Sequence, residues 1–469
     1  MKFNVFKNTV LLFVLVMISC ASKVKNNTNA KNEILNLVKI DSSIVVGANQ
    51  TEAYLSLLKG KRVGIVANQT SVIFKNAKDS IFEVYPNGKT KFSHVEKNDV
   101  LYTHLVDSLL SLKVNIKKVF SPEHGFRGKA DAGELVKDGI DTKTNLPIFS
   151  LHGSSKKPSK EQLKDLDIII FDIQDVGVRF YTYISTLHYI MEACAEQDKP
   201  VLILDRPNPN GHYVDGPTLE IENKSFLGMH PIPLVHGMTI GEYAQMINGE
   251  KWLKNGMTSE IKIIQLKHYT HNTPYSLAIR PSPNLPNDQS ITLYPSLGLF
   301  EGTNINAGRG TEFQFQRFGA PFLDKETYKL NYTPVANFGA KYPKHKNIIC
   351  YGKDLKNEVI NGVMTLKWVI EAYQNSTDKS LFFNTDNFTK HAGTNILQKQ
   401  IEAGLSEKEI RIMISDATFD KLDVLAKQYT EQLDDTGKKS LQFILDATIR
   451  MSQLVKGLLD YSRLGKSDE

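Results

Sequence analysis

Five short apolar runs, rich in β-branched residues, constrain this chain more than any other feature: "KRVGIVAN" (61–68), "VNIKKVFS" (114–121), "LPIFSLHG" (146–153), "LDIIIFDIQD" (166–175) and "KPVLILDRPNP" (199–209). Runs that are apolar at successive positions suit parallel strands buried on both faces. Helical patterns lie between them, near residues 99–112, 159–165 and 181–197. Strand and helix in repetition predict a doubly wound, Rossmann-like α/β domain with a mainly parallel sheet.

After "DRPNPNG" the pattern changes. Residues 215–237 are loop-rich, and "TIGEYAQMING" reads as a helix in which Thr239 is the N-cap and Glu242 completes a capping box. A strand near "EIKIIQL", the Pro/Asn-rich "RPSPNLPND", a helix-like "ITLYPSLGLFEGTN" and the glycine turn "NAGRGTE" follow. The expected organisation is a catalytic domain over 46–214 and a smaller α+β domain over 215–411 that lends loops to the cleft. A helical tail, 412–469, ends the chain.

The first twenty residues, "MKFNVFKNTVLLFVLVMISC", have a basic start, a short apolar core and Ser19 before Cys20. They read as a lipoprotein signal with Cys20 the lipidated residue and 21–45 a tether, which predicts an exported, periplasmic, membrane-anchored protein. Ordinary secretion is the plainer alternative. Beyond the leader only Cys194 and Cys350 remain, too few and too isolated for a disulfide framework. The net charge of +6 is not gathered into a basic face with interleaved aromatics, so no nucleic-acid partner is expected.

In an open parallel sheet, ligands bind beyond the carboxyl ends of the strands. The unusual polar residues stand there, in "SPEHG", "DIQDVGVRFYTY" and "DRPNPNG". Pro122 fixes the backbone before Glu123 and Gly125 frees it after His124, an arrangement a plain solvent turn does not need. His124 reads as a structural histidine, or as one that orients the carboxylate or bonds a substrate hydroxyl. Asp172 and Asp175 flank Gln174, with Arg179 and Tyr181 just beyond. Paired carboxylates beside an arginine suit glycoside hydrolysis, and equally suit a structural ion pair. Asp172 and Asp205 also read as helix caps, and Tyr181 as a sugar-stacking ring or the start of a buried stripe. No GxSxG, HExxH, GxxxxGK[ST] or GxGxxG motif and no metal-ligand spacing is present, so neither metal nor organic cofactor is expected.

Taken together and in order, "GIVANQT", "SPEHGFRG", "DIQDVGVRFYTYI", "DRPNPNG", "SPNLP" and "EGTNINAGRGTE" resemble the NamZ-like exo-β-N-acetylmuramidases over about residues 45–411. That resemblance implies release of N-acetylmuramic acid from the non-reducing ends of peptidoglycan fragments, with Glu123 as catalytic acid. Asp172, Asp175 and Glu301 are the candidates for a second carboxylate. Muramic acid carries a lactyl carboxylate, so a cation should face it; Arg179, Arg206, Arg280 and Arg309 lie in the motif loops. Gln174, Asp205, Asn208, Asn284 and Asn304 are further candidate substrate contacts, or makers of caps and Asx turns. The rival expectation is a carbohydrate-binding lipoprotein without turnover.

The tail departs from that family. "LDDTGKKSLQFILDATIRMSQLVKGLLDYSRLGK" resembles part of a histidine-kinase dimerisation domain, yet the last histidine in the chain is His391, outside it. Without a phosphoacceptor it reads as a fusion accident or as a helical appendage.

Overall fold

Alternation along each apolar run decides the layering. Val63, Ile65 and Ala67 join one buried cluster while Val66 joins another; Ile168 and Ile170 divide from Ile169 and Phe171 in the same way, and Leu202 and Leu204 from Val201 and Ile203. Side chains that point alternately to two buried faces require helices on both sides of the sheet.

The computed structural model describes residues 43–75, 80–84, 90–94, 101–127, 138–153, 155–360 and 362–413. Its strands, in chain order, begin with β1 (Val63–Ala67), β2 (Val72–Phe74), β3 (Ser80–Val84), β4 (Thr90–His94) and β5 (Tyr102–His104). Next come β6 (Ile116–Ser121), β7 (Gly139–Ile140), β8 (Pro147–Ser150), β9 (Ile168–Asp172) and β10 (Val201–Leu204). β11 (Ile261–Ile264), β12 (Arg317–Ala320), β13 (Leu330–Tyr332) and β14 (Cys350–Asp354) complete the set. The leader with Cys20, most of the tether, and the kinase-like segment lie outside the described residues.

The main sheet runs β11–β10–β9–β1–β6–β8–β7, parallel throughout except for β7, which is antiparallel to β8. The chain starts at β1 in the middle, builds outward through β6 and β8, then returns to β9 on the other side of β1. Connections from β1 and β9 therefore diverge, which opens a crevice beyond their carboxyl ends. This is the Rossmann order, and the expected α/β fold is observed.

The helix Tyr183–Ala195 covers one face, burying Ile184, Leu187, Ile190, Met191 and Cys194. Each fully buried Leu or Ile there contributes roughly 1.5–3 kcal/mol. Cys194 is a buried thiol, pushed up to about 12 by desolvation. On the other face, Tyr54, Leu58, Leu105, Val106 and Leu109 pack from the helices Thr51–Leu58 and Leu105–Ser111. The helix Ile240–Gly249 begins with the capping box expected of it: Thr239 Oγ1 accepts from the Glu242 N–H at 3.2 Å and Glu242 Oε2 from the Thr239 N–H at 2.8 Å.

A smaller antiparallel sheet, β12–β14–β13, packs with the helices Asp288–Leu297, Lys367–Gln374, Thr385–Ala392 and Ile396–Glu402. The boundary read at residue 214 does not divide the protein cleanly. β11 adds to the main sheet from beyond that point, and one buried cluster runs from Val66 and Ile169 through Ile240 and Leu297 to Phe318, Trp368 and Ile401. The composition change after "DRPNPNG" marks a loss of strand–helix alternation, and the core continues through it.

Candidate active site

Three connections meet at the switch between β1 and β9. After β1, Asn68 Oδ1 accepts from the Thr70 N–H and hydroxyl, at 2.8 and 2.6 Å, which folds residues 68–71 into a turn. After β6, Gly125 N–H donates to the Pro122 carbonyl at 3.1 Å, and His124 and Gly125 take φ values of 71° and 80°. A histidine in the left-handed region is strained by about 1–2 kcal/mol, while glycine is not. That double kink buries the His124 ring and leaves Glu123 half-buried at the crest.

Glu123 Oε2 accepts a 2.9 Å hydrogen bond from Thr182 Oγ1, and its backbone carbonyl accepts from the Tyr183 hydroxyl at 3.5 Å. The "RPSPNLP" loop closes the opposite side. Its Pro281 carbonyl accepts from Tyr181 at 2.8 Å, from Tyr183 at 3.4 Å and from Gln69 Nε2 at 3.1 Å. Arg280, next to it, is exposed and forms no ion pair among the described residues.

Tyr294 joins the two halves of the cleft. Its ring meets Tyr181, Phe180 and Phe315 edge-on, with centroids 6.0, 5.2 and 4.8 Å away. Burial, then the charges of Glu301 and Glu123 and, less strongly, Asp175, push its phenol well above its ordinary value, against the opposing pull of Arg309. Groups at 123, 175, 301 and 309, widely separated in sequence, thus act electrostatically on one phenol. That hydroxyl stays protonated and makes no hydrogen bond to a described residue.

Glu301 pairs with Arg309 Nη1 at 3.0 Å. Burial alone favours its neutral form, but Arg309, Lys344 and His391 outweigh it and hold the carboxyl below the usual range. Asp175 is buried, with Oδ2 accepting from the Gly177 N–H at 2.7 Å and lying 3.6 Å from His236 Nε2. Its Oδ1 has no partner among the described residues. Asn284 donates to the Gly339 carbonyl at 2.7 Å, and its buried Oδ1 is unpaired among the described residues.

Several residues singled out from the sequence are used inside the fold instead. Asp172 is fully buried beneath the cleft, bound bidentately by Arg206 at 2.6 and 2.9 Å; burial pushes its carboxyl up against the pull of that arginine. Both side chains are enclosed within the core. Arg179 is also fully buried, where its guanidinium donates to the carbonyls of Pro217, Ile232, His391 and Ala392. With no carboxylate to compensate, desolvation lowers it to about 9. Asp205 accepts from Thr239 Oγ1 and the Gly241 N–H, anchoring the start of the helix Ile240–Gly249, and burial raises it to about 6. This is the helix-cap alternative.

Gln174 ties the β9 connection to the Pro207 carbonyl at 2.6 Å, and Asn208 makes an Asx turn with the Asn210 N–H. Tyr181 has no free face for a sugar, because its ring is buried against Tyr183 and Tyr294. Asn304 is exposed and donates to the Leu381 carbonyl at 2.6 Å. Arg127, beside the Glu123 turn, is bound bidentately to Asp141 at 2.9 and 2.7 Å and braces that turn. Sequence reading missed Tyr294, Thr182 and Lys344; the pattern "ITLYPSLG" signals only a helix. Among the described residues, no group of three or more His, Cys, Asp or Glu is placed to hold a metal ion.

A Rossmann-ordered sheet whose switch point carries carboxylates and a protonated phenol in place of a phosphate-binding glycine loop defines an α/β protein built for acid–base chemistry. Residues 63–289 match the family described as exo-β-N-acetylmuramidase NamZ, N-terminal, and residues 292–421 its C-terminal counterpart. The chain belongs to the NamZ exo-β-N-acetylmuramidase family. It is 34% identical over 446 residues to the peptidoglycan β-N-acetylmuramidase NamZ of Bacillus subtilis (strain 168), covering 90% of this chain and 99% of that one. Two crystal structures of DUF1343-family proteins from Bacteroides fragilis NCTC 9343 share the fold. One is 43% identical with a TM-score of 0.66, covering 78% of this chain and 93% of its own. The other is 26% identical with a TM-score of 0.61, covering 79% and 94%. The family match divides near residue 290 rather than 214 and contributes nothing toward the kinase-like reading of the tail.

Proposed function

We propose that this protein is a glycosidase that releases N-acetylmuramic acid from the non-reducing ends of peptidoglycan fragments. One observation supports the reading beyond family membership: the kinked turn after β6 sets Glu123 half-buried at the carboxyl edge of the sheet, held by a 2.9 Å hydrogen bond from Thr182 Oγ1. Cleavage of a glycosidic bond needs an acid for the leaving oxygen and negative charge near the sugar ring as it becomes cationic. Glu123, at the crest of its turn, serves as the acid. Glu301, kept ionised by Arg309 and Lys344, supplies the negative charge. Tyr294 donates to the substrate oxygen that gains charge in the transition state.

Of the four candidate arginines, Arg280 is the one left to meet the lactyl carboxylate, since Arg179 and Arg206 are committed within the core and Arg309 to Glu301. The signal-like residues up to Cys20 support an exported, lipid-anchored location beside the wall. Incubation of the purified protein with a peptidoglycan digest tests the assignment, with mass spectrometry of the products. Free N-acetylmuramic acid is expected; unaltered glycans together with an inert chromogenic muramic-acid glycoside would refute it.

A further inference from the structure

One aromatic loop beside the cleft is not used by the chemistry above. Residues 335–343 are fastened to the site at several points. The Gly339 carbonyl accepts from Arg309 Nη2 at 3.4 Å and from Asn284 Nδ2 at 2.7 Å. Val335 N–H donates to the Gly310 carbonyl at 2.9 Å, and Asn337 Nδ2 to the Thr311 carbonyl at 3.1 Å. Asn337 and Ala340 exchange two backbone hydrogen bonds of 3.1 Å, making a tight turn with Phe338 at its tip. Gly339, at φ 94°, lets that turn approach Pro283 where any Cβ would come within 2.7 Å.

This fixed loop holds its large rings out to water: Phe338 is 60% exposed and Tyr342 89% exposed. Lys346 Nζ stands 5.6 Å from the Tyr342 ring centroid. Single exposed aromatics are ordinary on protein surfaces. Two of them on a clamped loop, joined by hydrogen bonds to Arg309 and Asn284, are a preorganised surface at the mouth of the cleft.

We infer that Phe338 and Tyr342 form an aglycone platform. An enzyme that removes the terminal sugar must let the rest of the glycan leave its cleft. The C–H faces of those outgoing rings stack on Phe338 and Tyr342, and Lys346 meets the carboxylates the chain carries. This rests on the muramidase reading and deepens it, naming glycans longer than a disaccharide as the preferred substrates.

The test compares a chromogenic muramic-acid glycoside with a peptidoglycan tetrasaccharide for the parent, Phe338→Ala and Tyr342→Ala proteins. Each substitution should lower kcat/KM for the tetrasaccharide about five- to tenfold more than for the short glycoside, chiefly through KM, tenfold corresponding to about 1.4 kcal/mol. In a Glu123→Gln background, Phe338→Ala should weaken tetrasaccharide Kd by the same factor. An unchanged ratio and an unchanged Kd overturn the platform. If the parent cleaves neither glycan while Phe338→Ala still weakens binding, the hydrolase reading falls and the platform stands.

Discussion

Tyr294→Phe removes one oxygen from the centre of the proposed site and leaves the ring. The ring contacts with Phe180, Tyr181 and Phe315 persist in phenylalanine, and the hydroxyl makes no hydrogen bond to a described residue. Folding stability should therefore change by less than about 0.5 kcal/mol, the ordinary scatter for substitutions that break no buried interaction. Catalysis should respond differently. A hydrogen bond to a group that carries charge is worth roughly 1.5–3 kcal/mol, which lowers kcat/KM by roughly tenfold to 150-fold. Initial rates on a chromogenic muramic-acid glycoside give the second figure, and urea unfolding of the same sample gives the first. A variant with full activity would remove Tyr294 from the mechanism. A variant that loses activity and stability in proportion would show that its hydroxyl serves the fold.

Two buried groups removed from the chemistry make the opposite kind of prediction. Asp172→Asn strands the Arg206 guanidinium in the core, so it should cost about 3–5 kcal/mol, seen as a lower urea midpoint at unchanged slope. Asp205 has a folded pKa of about 6, above the unfolded carboxyl at about 3.9. The folded state therefore holds the extra proton between those values. Its contribution is complete below about pH 4 and is lost as pH rises through 6, roughly 3 kcal/mol in all. Asp205→Asn should flatten stability between pH 4 and 6; an unchanged slope would show that Asp205 is not its source.

The sheet was legible because burial on both faces demands continuous apolar runs, and those runs stand in the chain at 63–67, 116–121, 147–150, 168–172 and 201–204. The location of the site was legible too, since strand order places it at the carboxyl edge. Which polar residues face outward was not. Asp172 and Asp175 are three positions apart, yet one ends a strand beneath the cleft and the other begins the loop above it. Aspartates and arginines in one motif form a buried ion pair as readily as a binding site, and spacing alone does not separate the two. Tyr294 was invisible for a related reason: its place in the site comes from ring contacts with Phe180, Tyr181 and Phe315, which only the folded chain assembles.

The most direct measurement concerns Glu123. Glu123→Gln keeps the shape and the contact with Thr182 but has no proton to give the leaving oxygen. Release of N-acetylmuramic acid should stop while Kd for a peptidoglycan tetrasaccharide stays within about twofold of the parent, a difference of about 0.4 kcal/mol. Undiminished release by that variant would contradict the account.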